Sequence, residues 1–144
     1  NGIIDLRIVE KQAMKQDVVA DASMMAQSIE GTGKVALYGI HFDTGKSVLK
    51  PESEPALEEI TKLLKADPKL KIHVVGHTDN VGDFDSNLAL SRERAEAVVK
   101  ALAGRHGVAV ARLRPFGAGP TAPVQSNKSE EGRAKNRRVE LVAQ

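Results

Sequence analysis

The stretch Lys71-Ile72-His73-Val74-Val75-Gly76-His77-Thr78-Asp79-Asn80-Val81-Gly82, continued by Asn87-Leu88-Ala89-Leu90-Ser91-Arg92-Glu93-Arg94-Ala95, decides the fold. Lys71 to Gly76 reads as a short strand, with Ile72 and Val74 on one face and His73 and Val75 on the other. Leu88, Ala95, Val98, Val99 and Leu102 form one stripe at helical spacing, which predicts a helix over about 87–105 with Gly107 as its end signal. Strand, short loop and long helix in that order are the repeating unit of an α/β layer.

Working outward, Leu57, Ile60, Leu63 and Leu64 predict a helix over roughly 54–66, ended by Asp67-Pro68. Pro55 lacks an N–H and fits only a first turn, so this helix begins near Ser53 or Glu54 rather than at Pro51. Lys34 to Phe42 is apolar on both faces and predicts a doubly covered strand. Val18, Ala22, Met25 and Ile29 predict a helix near 17–30, stopped at Gly31-Thr32-Gly33, with Met24 and Met25 as core filler. Ile4, Leu6 and Ile8 alternate with Asp5 and Arg7, which predicts a strand over 3–9. Downstream, Leu113 to Phe116 reads as a strand, 117–132 as a loop and Arg137 to Val142 as a last strand. The sum is a two-layer α/β (α+β) sandwich, a mixed β-sheet with helices packed on one face. Residues 1–34, a strand plus a helix, are expected to pack as an N-terminal extension on a domain spanning 35–144.

The 144 residues suit one domain, and 41% hydrophobic with 28% charged residues are ordinary globular values. A formal charge of +2 is too small for a nucleic-acid footprint, and Tyr38, Phe42, Phe84 and Phe116 give few surfaces for stacking bases. Cysteine is absent, so disulfides and thiolate metal sites are excluded. No apolar run reaches the length of a signal core or a membrane span, and the chain, beginning at Asn1, reads as a processed or excised soluble piece.

Asp79 and Arg94 carry the most informative chemistry. A carboxylate and a guanidinium held side by side can grip a ligand that bears an ammonium and a carboxylate on one carbon. From spacing alone, a structural salt bridge between the two residues stands equally open. Asn87 and Arg94, seven residues apart, point within about 20° of each other on one shoulder of the helix. His73, His77 and Asp79 lack a clear further protein ligand for zinc, and Asp83 begins no EF-hand, since Leu88 falls where glycine is needed. Ser91, His77 and Asp79 could be offered as a hydrolase, but no nucleophile elbow surrounds Ser91, which reads as a capping or solvated serine. Neither catalysis nor a metal or cofactor is expected. The run from Arg133 to Arg138 reads as a solvated strand edge.

The order Gly76-His77-Thr78-Asp79, Gly82, Asn87, Leu90-Ser91, Arg94-Ala95, Arg112-Leu113, Gly117, Gly119, Pro123, Asn127, Gly132-Arg133-Ala134 and Asn136-Arg137-Arg138-Val139-Glu140 resembles the OmpA-like C-terminal domain family over about residues 35–143. That resemblance implies non-covalent binding of cell-wall peptidoglycan through the meso-diaminopimelate of its stem peptide. It assigns the ligand ammonium to Asp79 and the ligand carboxylate to Arg94. Phe42 and Asp43 match the family's Phe-Asp after its first strand, Thr78 lies in the Gly-His-Thr-Asp motif, and Asn87 marks the loop-to-helix junction. Leu90 is implied as pocket wall and Arg138 as a basic edge over the stem peptide. The resemblance also implies a periplasmic domain, tethered to the outer membrane through a part of the parent protein outside this chain. The alternative is a protein-interaction module of an envelope, secretion or motor complex that does not bind the wall.

Overall fold

The computed structural model describes residues 19–144. The strand expected at 3–9 lies outside the described residues, as do residues 17 and 18; the helix expected near 17–30 begins only at Ala22, because Asp21 caps it, accepting from Met24 N–H at 2.8 Å. Four helices and four strands follow in the order α1 (Ala22–Thr32), β1 (Lys34–Leu37), α2 (Glu54–Ala66), β2 (Ile72–His77), α3 (Phe84–Gly104), β3 (Leu113–Gly119), α4 (Glu130–Asn136) and β4 (Arg138–Ala143). The sheet order is β1-β4-β2-β3. β4 runs antiparallel to both β1 and β2, whereas β2 and β3 are parallel. The sheet is therefore mixed, as expected.

The core lies between the sheet and the long helices. Leu57, Ile60 and Leu64 of α2, Val98 and Leu102 of α3, Ile72 and Val74 of β2 and Leu141 of β4 are all fully buried. Alternation along the strands explains the layering, because Ile72, Val74 and Gly76 share a register line with Leu141 and Val139 on the helix-facing side. α1 adds Met25 to this core, but Met24 is 54% exposed and fills nothing, since one residue on a helix turns the side chain by about 100°. α2 begins at Glu54 behind a 3-10 turn at Pro51–Ser53, with Pro55 in its first turn.

Further differences from the sequence reading have local reasons. β1 stops at Leu37, where its pairing with β4 ends at Val139, and Phe42 is held only by an isolated bridge to Leu49. α3 begins three residues early because Asp83 caps it, accepting from the Ser86 N–H at 2.9 Å. β3 continues to Gly119 because its parallel pairing with β2 continues, with a register shift between Gly76 and His77. α4 occupies part of the stretch read as loop; Ser129 caps it, accepting from Gly132 N–H at 3.0 Å, but Glu-Glu-Gly-Arg-Ala-Lys-Asn has no apolar stripe to reveal it.

The α3 stripe also needs a correction. Leu88 is partly exposed, and the buried position one turn later belongs to Ser91, which is fully buried rather than capping or solvated. Gly76 and Gly117 are cross-strand neighbours beneath it. A Cβ on Gly76 would overlap the Ser91 carbonyl oxygen, and one on Gly117 would overlap the Arg92 backbone. Two missing side chains thus let α3 settle directly on the sheet, and the height of the helix follows from them. The Ser91 hydroxyl is spent on this packing, donating to Leu88 O at 2.8 Å and accepting from Gly119 N–H at 2.9 Å.

Candidate functional site

Where β2 ends, the chain following β1 and the start of β4 frame a cleft of about 750 Å³ with α3 and α4. Phe42, Thr78, Asp79, Asn87, Leu90, Arg94 and Arg138 all line it. The residues expected from sequence therefore converge on one concavity, with one partial exception. The Asp43 side chain is 71% exposed and its carboxylate pairs with Lys50 at 3.2 Å. What Asp43 supplies is its carbonyl oxygen, which accepts from Arg94 Nη2 at 3.1 Å.

Backbone chemistry fixes the 77–82 loop. Thr78 N–H donates to Gly119 O at 2.9 Å, and its hydroxyl donates to Asp79 O at 2.7 Å. Gly82, at φ 94°, adopts the left-handed turn that returns the chain to α3. Asp79 Oδ1 accepts from Val81 N–H at 3.0 Å, which fixes the carboxylate in place. Asn87 reaches back from the first turns of α3, donating through Nδ2 to Val81 O at 2.9 Å. Its amide nitrogen is thereby committed to holding the loop.

Arg94 is clamped from the other side. Its Nε donates to Lys46 O at 2.8 Å, and its guanidinium lies 4.8 Å from the centroid of the Phe42 ring. Burial and the neighbouring Arg137 charge lower its pKa, while Asp79 opposes them. Among the described residues no carboxylate lies within ion-pair distance of Arg94. The cation is held by carbonyls and an aromatic face, with its charge uncompensated by a direct partner.

The bridge left open by the sequence does form at Asp79, but with another residue. Arg137 Nη1 donates to Asp79 Oδ2 at 2.7 Å, and Arg137 Nη2 donates to Glu130 Oε2 at 2.7 Å. Glu130 and then Asp79 raise the Arg137 pKa against burial. Sequence reasoning missed Arg137 by treating the basic run as one solvated edge. Arg137 sits at the C-cap of α4, between that helix and β4, and the helix that places it there carried no apolar stripe to reveal it.

Arg138 is likewise not a basic edge. It is 5% exposed, donating from Nε to Glu140 Oε2 at 2.7 Å, from Nη2 to Ala122 O at 2.9 Å and from Nη1 to Asn136 O at 3.2 Å. His77 Nε2 lies 3.4 Å from Glu140 Oε1, close enough for ion-pair contact but without hydrogen-bond alignment. The nearby His77 ring and the bonded Arg138 hold the Glu140 carboxyl down to about 2, although burial alone would raise it. A depressed carboxyl contributes stability that is fully present above its ordinary 4.5 and is lost as pH falls from there through about 2. That contribution is on the order of 3 kcal/mol. Unfolding measured from pH 6 to pH 2 should show this loss, and Glu140→Gln should remove that segment of the pH dependence. At neutral pH the same substitution should destabilise the fold, because it leaves Arg138 buried without its counter-charge.

The two-layer domain thus presents a charged, walled cleft at the end of its sheet. Residues 41–137 match the OmpA family, and the chain belongs to that family. It is 41% identical over 103 residues to the "Probable lipoprotein YiaD" of Escherichia coli K12, covering 72% of this chain and 47% of that one. It is 40% identical over 103 residues to the "Peptidoglycan-binding protein ArfA" of Mycobacterium tuberculosis, covering 72% and 31%. The solved peptidoglycan-associated lipoprotein from Burkholderia pseudomallei superposes with a TM-score of 0.67 at 31% identity, covering 86% of this chain and 100% of that one. The chain thus spans less than half the length of these two curated relatives. No described helix is long and apolar enough to cross a membrane.

Proposed function

We propose that this domain binds cell-wall peptidoglycan non-covalently, holding the side-chain end of meso-diaminopimelate, with Asp79 taking the ammonium and Arg94 the carboxylate. One observation carries the reading: a fixed carboxylate and a fixed guanidinium, the latter without a carboxylate partner among the described residues, line the same cleft. Meso-diaminopimelate differs from lysine by a carboxylate on the side-chain terminus, and only a cation such as Arg94 rewards that group. Phe42 and Leu90 would supply apolar wall to the methylene chain, while Thr78 and Asn87 keep the loop in register. The names of ArfA and of the Burkholderia lipoprotein support peptidoglycan as the polymer bound. The domain acts by binding rather than turnover, in the periplasm, with the parent protein tethering the outer membrane to the wall.

Co-sedimentation with purified sacculi of the diaminopimelate and lysine types tests this. The wild-type chain should be retained on the first and pass the second, and Asp79→Ala should lose retention under conditions where a thermal melt shows it still folded. Equal retention on both wall types, indifferent to the substitution, overturns the reading.

A further inference from the structure

The charges in the cleft do not cancel in pairs. Arg138 is matched by Glu140, and Arg137 by Asp79 and Glu130. Two cations remain: Arg94, and Lys135 in the last turn of α4, which also lines the cleft and has no carboxylate within ion-pair distance among the described residues. Lys135 is deliberately positioned. Its ammonium lies 4.8 Å from the centroid of the Tyr38 ring, and the Tyr38 hydroxyl donates to the Lys135 carbonyl at 3.0 Å. Tyr38 therefore holds both ends of the residue, backbone and charge, while accepting no ionic bond from it. A zwitterion occupying Asp79 and Arg94 leaves this second cation unanswered.

Resting on the diaminopimelate reading, we propose that Lys135 over Tyr38 is a second carboxylate subsite, which binds a carboxylate that the stem peptide carries beside the zwitterion. A wall stem offers that chemistry from two sources. The glutamate joined through its γ-carboxyl keeps a free α-carboxylate next to diaminopimelate, and the stem ends in a terminal carboxylate. Both are lost on amidation without a change of shape. The subsite makes the cleft sensitive to stem amidation, a modification that leaves the zwitterion itself untouched.

Titration calorimetry with three synthetic diaminopimelate stems, one the free acid, one amidated at the glutamate α-carboxyl and one at the chain end, tests the subsite and separates the sources. One amidation should weaken wild-type binding roughly three- to tenfold. Lys135→Gln should weaken the free-acid stem by a similar factor and then be indifferent to that same amidation, whereas Lys135→Arg should remain sensitive. The inference is overturned if the free-acid stem binds through Asp79 but neither amidation matters, or if Lys135→Gln weakens all three stems alike through lost packing on Tyr38. A free-acid stem that does not bind overturns the diaminopimelate reading first, and this subsite with it.

Discussion

The Arg94→Ala variant is expected to lose wall binding by about 2–5 kcal/mol, a factor of roughly 30 to several thousand, in the range observed when one partner of a desolvated charge pair is removed. The geometry explains why the loss should be so large. Arg94 arrives already oriented by Lys46 O, Asp43 O and the Phe42 ring, so little of its freedom remains to be surrendered when a carboxylate binds. Arg94→Lys should recover only part of the affinity, because an ammonium cannot satisfy both carbonyls and present a planar fork to the ligand. Binding isotherms on solubilised diaminopimelate stems give the magnitude, and a thermal melt separates it from loosening of the 43–46 segment. An alanine variant that is folded and binds within threefold of wild type would remove Arg94 from the site.

Gly76→Ala should be among the most damaging single methyls in the domain, costing about 3 kcal/mol or more of stability by urea unfolding. The new Cβ would meet backbone, the Ser91 carbonyl, which cannot rotate away as a side-chain tip could. α3 must then rise from the sheet, breaking the Ser91 hydroxyl bond to Gly119 N–H and carrying Asn87 and Arg94 with it. Binding should fall even under conditions where the variant remains folded. Gly104→Ala, where no atom lies within 4 Å of the added Cβ, is the matched control and should leave both properties intact.

What could be read in advance divides along physical lines. α2 was legible in the sequence, at roughly 54–66, because Leu57, Ile60, Leu63 and Leu64 face one core and Pro55 confines the start to Ser53 or Glu54. α4 was invisible because its seven residues are ordered by capping and end charges, with no buried stripe to betray a period. In the cleft, the convergence of Asp79, Asn87 and Arg94 followed from one loop and one helix shoulder, which are short-range relations. The partner of Asp79 did not, since Arg137 lies 58 residues away in sequence and reaches it only through the pairing of β4 with β2. Likewise, the two arginines Arg137 and Arg138 look equivalent in a string of letters, but Arg137 caps the end of α4 beside Asp79 and Glu130, whereas Arg138 opens β4 and is buried against Glu140.

The Asp79–Arg137 contact has a kinetic meaning. Because the carboxylate already holds a cation, an ammonium bound as proposed would not fill a vacancy; it would take over from a resident that can retire to Glu130. The free energy of such a swap is a difference between two similar terms, so each engagement stays modest and reversible. On a polymer that repeats its stem many times, lasting attachment then depends on how soon a released domain meets the next stem, and a mesh can be gripped firmly while it is still being remodelled.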